Sequence, residues 1–388
     1  MSTRGEDGVY LHVGVPKTGT TYLQNFLWTN RDRLRDRGLL LALERQADHY
    51  AAVIDLQGGR FAGHEVTGVE GAWPRVADQA VRWPRRSLIS HEIFGGLREA
   101  KVEEVFETLG SRPVHVVLTL RDLARIVPAV WQESAKNQRV DPWPEFLDRV
   151  QVLGKGRDRR FWRLQNASRI LRTWAEFVPG ERIHVVTLPP PGAPRTMLIE
   201  RFCAAFDVDT RGLDFDISVA NESIGAAEVA LLQRINTTAV DRMSWDDYHD
   251  YLKHFAVPNI LAARADSTRV TMPDSAQPWL QEETQRTCAT ISELGCDVIG
   301  DLADLTPRTA GEAYVDPASV TDDEVLQAAV DLSIGMVEEY ARLSRETKPA
   351  AAVGDVLKSV RHGRLGDVRD AVNRVQSYRR ERRQGSAP

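Results

Sequence analysis

Short runs rich in apolar and β-branched residues recur along the first half of the chain. Val9-Tyr10-Leu11, continued by Val13, make the first; Leu39–Leu41, Ser87–Ser90, Val114–Leu120 and Ile183–Leu188 follow. Runs of this length predict strands, largely buried. Between them the period changes. Tyr22, Leu23, Phe26 and Leu27 are spaced for a helix, as are segments around 98–109, from Arg121-Asp122 toward Asn137, Trp162–Trp174 and around 195–206. Strands separated by helices of about 10–15 residues predict βαβ units, hence an α/β fold with a parallel sheet flanked by helices. In such sheets ligands bind beyond the C-terminal strand ends, where the Gly14–Thr21 loop, His91-Glu92 and Arg121 all fall.

From about residue 220 onward no comparable strand is predicted. Residues 226–265 and 321–346 have helical spacing, and in the second Val325, Leu326, Ala329, Leu332, Met336, Val337 and Tyr340 form an apolar stripe, expected to pack in the core. The expected organisation is therefore an α/β core over 1–220 and a mostly helical region over 221–388, either separate or packed into the same domain. The irregular segment 44–86 and the segment 138–165 are rich in Gly, Trp, His and Arg and are candidate acceptor-binding lids; Trp131, Trp143 and Trp162 are candidate pocket walls, with core packing the commoner fate of tryptophan.

Composition narrows the classes. The 388 residues are 42% hydrophobic and 27% charged, ordinary for a globular chain, and the net charge of −5 gives no push toward nucleic acid. Three irregularly spaced cysteines, Cys203, Cys288 and Cys296, fit neither a disulfide framework nor a C-x-x-C metal site. MSTRGEDG lacks an apolar signal core and no run reaches the roughly 18 apolar residues of a membrane span. The expectation is a cytoplasmic protein with no integral membrane segment. The basic run Arg379, Arg380, Arg382 and Arg383 is read as a solvated terminus.

The chemistry concentrates in the first strand–loop–helix. Gly14 and Gly19 permit close backbone approach, so that amides of residues 17–21 and the start of the next helix converge on one anion, with Thr20 and Thr21 adding hydroxyls. The nucleotide loop G-x-x-x-x-G-K-[ST] requires lysine after its second glycine. Here Thr20 stands in that place and the lysine, Lys17, has moved inside the loop.

That string, V-P-K-T-G-T-T from Val15 to Thr21, resembles the 5′-phosphosulfate loop of sulfotransferases, enzymes that use 3′-phosphoadenosine 5′-phosphosulfate (PAPS). Leu23-Gln24, Asn30-Arg31 and Leu34 resemble the bacterial branch. The resemblance implies a fold similar to P-loop kinases, PAPS as co-substrate, and no metal requirement. It also implies donor contacts from Pro16, Lys17, Thr18, Gly19, Thr20 and Thr21, with Lys17 stabilising charge on the bridging oxygen. Arg121, after V-H-V-V-L-T-L, matches the family's 3′-phosphate arginine. The serine usual eight residues on is replaced by Ala129 after Pro128, leaving Ser134, Lys136 and Arg125 as candidates to share the phosphate. In S-L-I-S-H-E, Glu92 is the preferred general base and His91 the alternative.

Weaker matches complete the reading. Arg361–Asp367 resembles the family's R-K-G-x-x-G-D closing segment, and is read as an ordinary loop; Asn221-Glu222-Ser223 resembles an N-x-S that follows the sheet domain in bacterial relatives. His12, on the first strand, is read as structural. The acceptor is expected to be a small molecule, glycan or lipid presenting a hydroxyl or amine. The competing readings are a Mg²⁺/ATP phosphotransferase and a non-catalytic nucleotide- or partner-binding member of the fold.

Overall fold

The computed structural model describes residues 3–61, 64–152, 158–217, 223–239 and 241–347. Six strands, β1 (Val9–His12), β2 (Leu39–Leu41), β5 (Arg86–Ser90), β6 (Val114–Leu120), β7 (Ile183–Thr187) and β8 (Asp297–Ile299), make one sheet in the order β2-β5-β1-β6-β7-β8. Every pairing in it is parallel. A two-stranded antiparallel pair, β3 (Arg60–Phe61) and β4 (His64–Glu65), lies apart from it. The five strands predicted from apolar runs are all present, within a residue or two at their ends. The sixth, β8, corrects the expectation that no strand follows residue 220. Three residues long and only half-buried at Asp297 and Val298, it offers no apolar run to read.

The helices of the sheet region are α1 (Thr20–Thr29), α2 (Arg31–Asp36), α3 (Asp48–Leu56), α4 (Ala72–Arg82), α5 (Glu99–Leu109), α6 (Leu123–Lys136), α7 (Trp143–Gln151), α8 (Arg159–Gln165), α9 (Ala167–Ala175) and α10 (Thr196–Ala204). Leu23, Phe26 and Leu27 of α1 meet Ile199, Phe202 and Cys203 of α10 over Tyr10, Leu88, Val117 and Val186 of the sheet, a fully apolar layer. The segment 44–86, expected to be irregular, contains α3 and α4; Val53, Ile54, Trp73 and Val76 are buried, and apolar spacing outweighs the surrounding glycines. The Trp162–Trp174 stretch is two helices, broken at Asn166, whose side chain accepts from the Arg169 amide and caps α9.

Beyond the sheet, α11 (Ala226–Ala239), a π-helical stretch Tyr248–Ala256 and the helix Gln277–Glu293 belong to the same compact unit, which runs to Leu326. The second unit begins at Gln327 and includes most of the helix Asp322–Thr347. Its apolar stripe meets the expectation of core packing only in part: Val325 is buried and Ala329, Leu332 and Met336 are half-buried. Leu326, Val337 and Tyr340 are 62%, 66% and 74% exposed, because apolar positions recur on more than one side of this helix and one side faces solvent. Among the described residues no helix is long and apolar enough to cross a membrane. The segment 361–367, the basic run 379–383, and Asn221 and Glu222 lie outside the described residues.

Candidate functional site

β1 sits between β5 and β6, the point at which the chain's strand order switches sides, and such a crevice is where parallel sheets bind ligands. The loop after β1 is tied to β6: the Val15 amide donates to the Thr119 carbonyl at 2.9 Å, and the Thr119 hydroxyl donates to the Gly14 carbonyl at 3.0 Å. Gly14 (φ +115°) is required because a Cβ there would stand 3.0 Å from the Glu92 carbonyl oxygen. Gly19 (φ +79°) precedes the first residue of α1, and a Cβ there would meet Leu198 at 2.7 Å. Between them Lys17 holds φ +68°, a left-handed conformation uncommon for lysine and typical of ligand-binding loops. Arg121 supports it, donating from Nη1 to the Lys17 carbonyl at 3.2 Å, and Gln165 donates to the Pro16 carbonyl at 3.2 Å.

This loop opens on a cavity of about 970 Å³. Pro16, Lys17, Gly19, Thr20, Thr21, Glu92 and Arg121 all line it, so the ends of three neighbouring strands meet there. Thr18 and His91 do not. The Thr18 hydroxyl lies 2.5 Å from the Val15 carbonyl and 2.6 Å from the Thr119 hydroxyl and stiffens the loop from within. His91 Nδ1 accepts from the Ile93 amide at 3.3 Å and lies 3.8 Å from a Glu92 oxygen. Ala129 and Pro128 also line the cavity. Pro128 lacks an N–H, so the Ala124 carbonyl four residues back has no helical donor.

The cavity is cationic in an acidic protein. Lys17, Arg121, Arg125, Lys136, Arg269 and Arg308 line it, against Glu92, Asp122 and Asp304. All three carboxylates are engaged: Asp122 caps α6 and pairs with Arg125, Asp304 accepts from Arg201 at 2.6 Å and from the Thr187 hydroxyl at 2.8 Å, and Glu92 accepts from Gln24. Burial, with the like charges of Arg125 and Arg269 contributing, pulls the Arg121 guanidinium down to about 10 against the opposing pull of Asp122. Arg121 Nε is buried without a partner. A cationic centre so arranged is stabilised by an anion.

Lys17 Nζ donates to Glu133 Oε2 at 2.8 Å. Glu133 lies on α6 amid three ammonium groups, with Lys253 at 3.3 Å and Lys136 at 3.9 Å. Burial pushes its carboxyl up, but Lys17, Lys253 and Lys136 outweigh that and hold it far below the usual carboxylate range. Lys253 comes from the π-helical stretch, and sequence spacing offers no signal for this meeting. Glu92 is held low as well: burial raises it, while His91, a backbone hydrogen bond, His12 and Lys17 together prevail. Gln24 donates to it at 3.3 Å. Burial lowers His91 despite Glu92, and lowers His12 to about 4, so His12 is neutral near pH 7. His12 bridges the Ser90 and Thr119 hydroxyls, at 2.8 and 3.2 Å, within the sheet.

The remaining expected residues divide cleanly. Arg125 and Lys136 reach the cavity; Ser134 instead donates to the Trp131 carbonyl at 2.7 Å. Trp131, Trp143 and Trp162 are buried with Phe146 and Phe161 in an aromatic cluster and line no part of this cavity. Among the described residues of 44–86 and 138–165, none lines the cavity. Arg269 to Met272, Arg308 and Ser223 do line it, and sequence reading assigned donor contact to none of them. No family model, curated protein or solved structure matches this chain.

Proposed function

We propose that this protein is a PAPS-dependent sulfotransferase built on a P-loop-like α/β core. The observation that carries the reading is the meeting of Lys17, Thr20-Thr21, Arg121 and Glu92 in one cationic cavity at the switch point of a parallel sheet. The residues present fit the donor. The loop after β1 offers amides, two threonine hydroxyls and an ammonium for a phosphosulfate, and the buried, unpartnered Arg121 Nε belongs to a corner suited to a second phosphate. The donor supplies a sulfuryl group and departs as adenosine 3′,5′-bisphosphate.

In this reading each residue has a separate task. Thr20 and Thr21 orient the anion at the start of α1, and Lys17 neutralises the charge that develops on the leaving oxygen. Arg121 holds the far phosphate while its Nη1 keeps the Lys17 carbonyl in place, which couples the two ends of the site. Glu92, ionised and held by Gln24, accepts the proton of an attacking hydroxyl or amine. Positioning and electrostatic complementarity supply most of the rate, as in phosphoryl transfer. The acceptor of this reading is a small molecule, glycan or lipid, and the working compartment the cytoplasm.

The test is calorimetry on the full chain. Adenosine 3′,5′-bisphosphate should bind in the presence of EDTA, and ATP should gain no affinity from Mg²⁺. Binding of Mg²⁺-ATP with indifference to the bisphosphate would replace this reading with a kinase-type phosphotransferase.

A further inference from the structure

Ala129 deprives the Arg121 corner of a hydroxyl from α6, yet another hydroxyl-bearing residue borders the same cavity. Thr271 lines it, and its Oγ1 is buried without a hydrogen-bond partner, like Arg121 Nε. An unsatisfied buried hydroxyl is costly unless something fills the site. Thr271 belongs to the segment 264–272, which lies outside the sheet and its crossover helices.

This segment is clamped. Glu228, fully buried on α11, accepts from the Arg264 guanidinium and from the Ser267 hydroxyl at 2.8 Å. The Ala226 amide donates to the Thr268 carbonyl at 3.0 Å, and Gly225 permits the approach, since a Cβ there would stand 2.6 Å from that carbonyl oxygen. Val270 and Met272 are buried. The clamp leaves Arg269 beside the cavity, where it joins Arg121 and Arg125. Asp122 is the one carboxylate paired within that trio, and Arg269 makes no ion pair with any described residue. Three guanidinium groups against one carboxylate leave room for an anion of charge near −2, the charge of a phosphomonoester at neutral pH.

Resting on the sulfotransferase reading, we infer that segment 264–272 completes the 3′-phosphate site: Arg269 grips the phosphate together with Arg121 and Arg125, and the Thr271 hydroxyl donates the hydrogen bond that Ala129 cannot. The α11 clamp makes these positioning-dependent contacts part of a fixed wall, which selects donors carrying a 3′-phosphate over those lacking it.

Calorimetry with two probes separates the contributions. Adenosine 3′,5′-bisphosphate carries the 3′-phosphate and adenosine 5′-monophosphate does not. The wild-type chain should prefer the first by roughly tenfold or more. Arg269→Ala should erase about a factor of ten of that preference and Thr271→Val about a factor of three, both with unchanged monophosphate affinity and melting temperature. Arg269→Lys should restore part of the loss. Retention of the full preference in both Arg269→Ala and Thr271→Val would overturn the assignment while leaving the donor reading intact. A wild-type chain that binds neither nucleotide would overturn both.

Discussion

In the proposed function the chemistry turns on Lys17, whose ammonium rests on Glu133. An anion entering the loop must compete with that carboxylate for Lys17. Glu133→Gln should therefore raise the affinity for adenosine 3′,5′-bisphosphate several-fold by calorimetry, while lowering the melting temperature because Lys17, Lys136 and Lys253 lose their shared counter-charge. Unchanged or weaker nucleotide binding would show that the pair does not oppose the donor. Lys17→Ala has the opposite profile. Glu133 keeps Lys253 and the Asn137 amide at 3.2 Å, so the fold should hold, but the slow hydrolytic release of bisphosphate from PAPS should fall by about 10²–10³. Undiminished release would remove Lys17 from its role. The position and type of Lys17 were legible in the string V-P-K-T-G-T-T. Its pairing with Glu133 was not, since the partner is 116 residues away and looks like any helical glutamate.

Strands and loops differ in how far sequence describes them. β6 was readable to the residue because seven consecutive buried positions, from Val114 to Leu120, leave no alternative to a central strand. β8 was not, being short and held by polar contacts. Asp297 accepts from Arg4 at 2.7 and 2.6 Å and lies 2.8 Å from His184 Nδ1, fastening this edge strand to β7 and to the N-terminal segment. Asp297→Ala should cost about 1–3 kcal/mol in chemical denaturation, with nucleotide affinity unchanged because the site lies at the other end of the strands. A loss below about 0.5 kcal/mol would show that β8 is held by its ladder alone. The segment 264–272 escaped for a related reason. Its place beside Arg121 depends on Glu228, and no periodic pattern announces a clamp between a loop and a helix start.

At the scale of the molecule, buried neutral histidines set the response to acid. His12 and His49 are lowered to about 4 and His115 to about 3, in each case chiefly by burial. Unfolded histidines titrate near 6.5, so below that pH the unfolded chain binds more protons than the folded one, and stability falls as pH drops from about 6.5 toward 4. Between pH 7.5 and 5.5 each should cost about 1 kcal/mol, read as a lower denaturation midpoint; equal midpoints would mean that these rings are protonated in the fold. The sheet, its direction and the convergence of three strand ends were legible because burial and period dictate them. The exposed stripe of Leu326, Val337 and Tyr340 was misread, because periodicity reports that a helix is apolar on a face but not which face is covered. The central claim, a phosphosulfate donor lying between Lys17 and Arg121, is tested most directly by a crystal structure with adenosine 3′,5′-bisphosphate bound. The account predicts the 5′-phosphate within hydrogen-bond distance of Lys17 Nζ and the Thr20 and Thr21 amides, and the 3′-phosphate on Arg121. A nucleotide bound elsewhere, or in the reverse orientation, would contradict it.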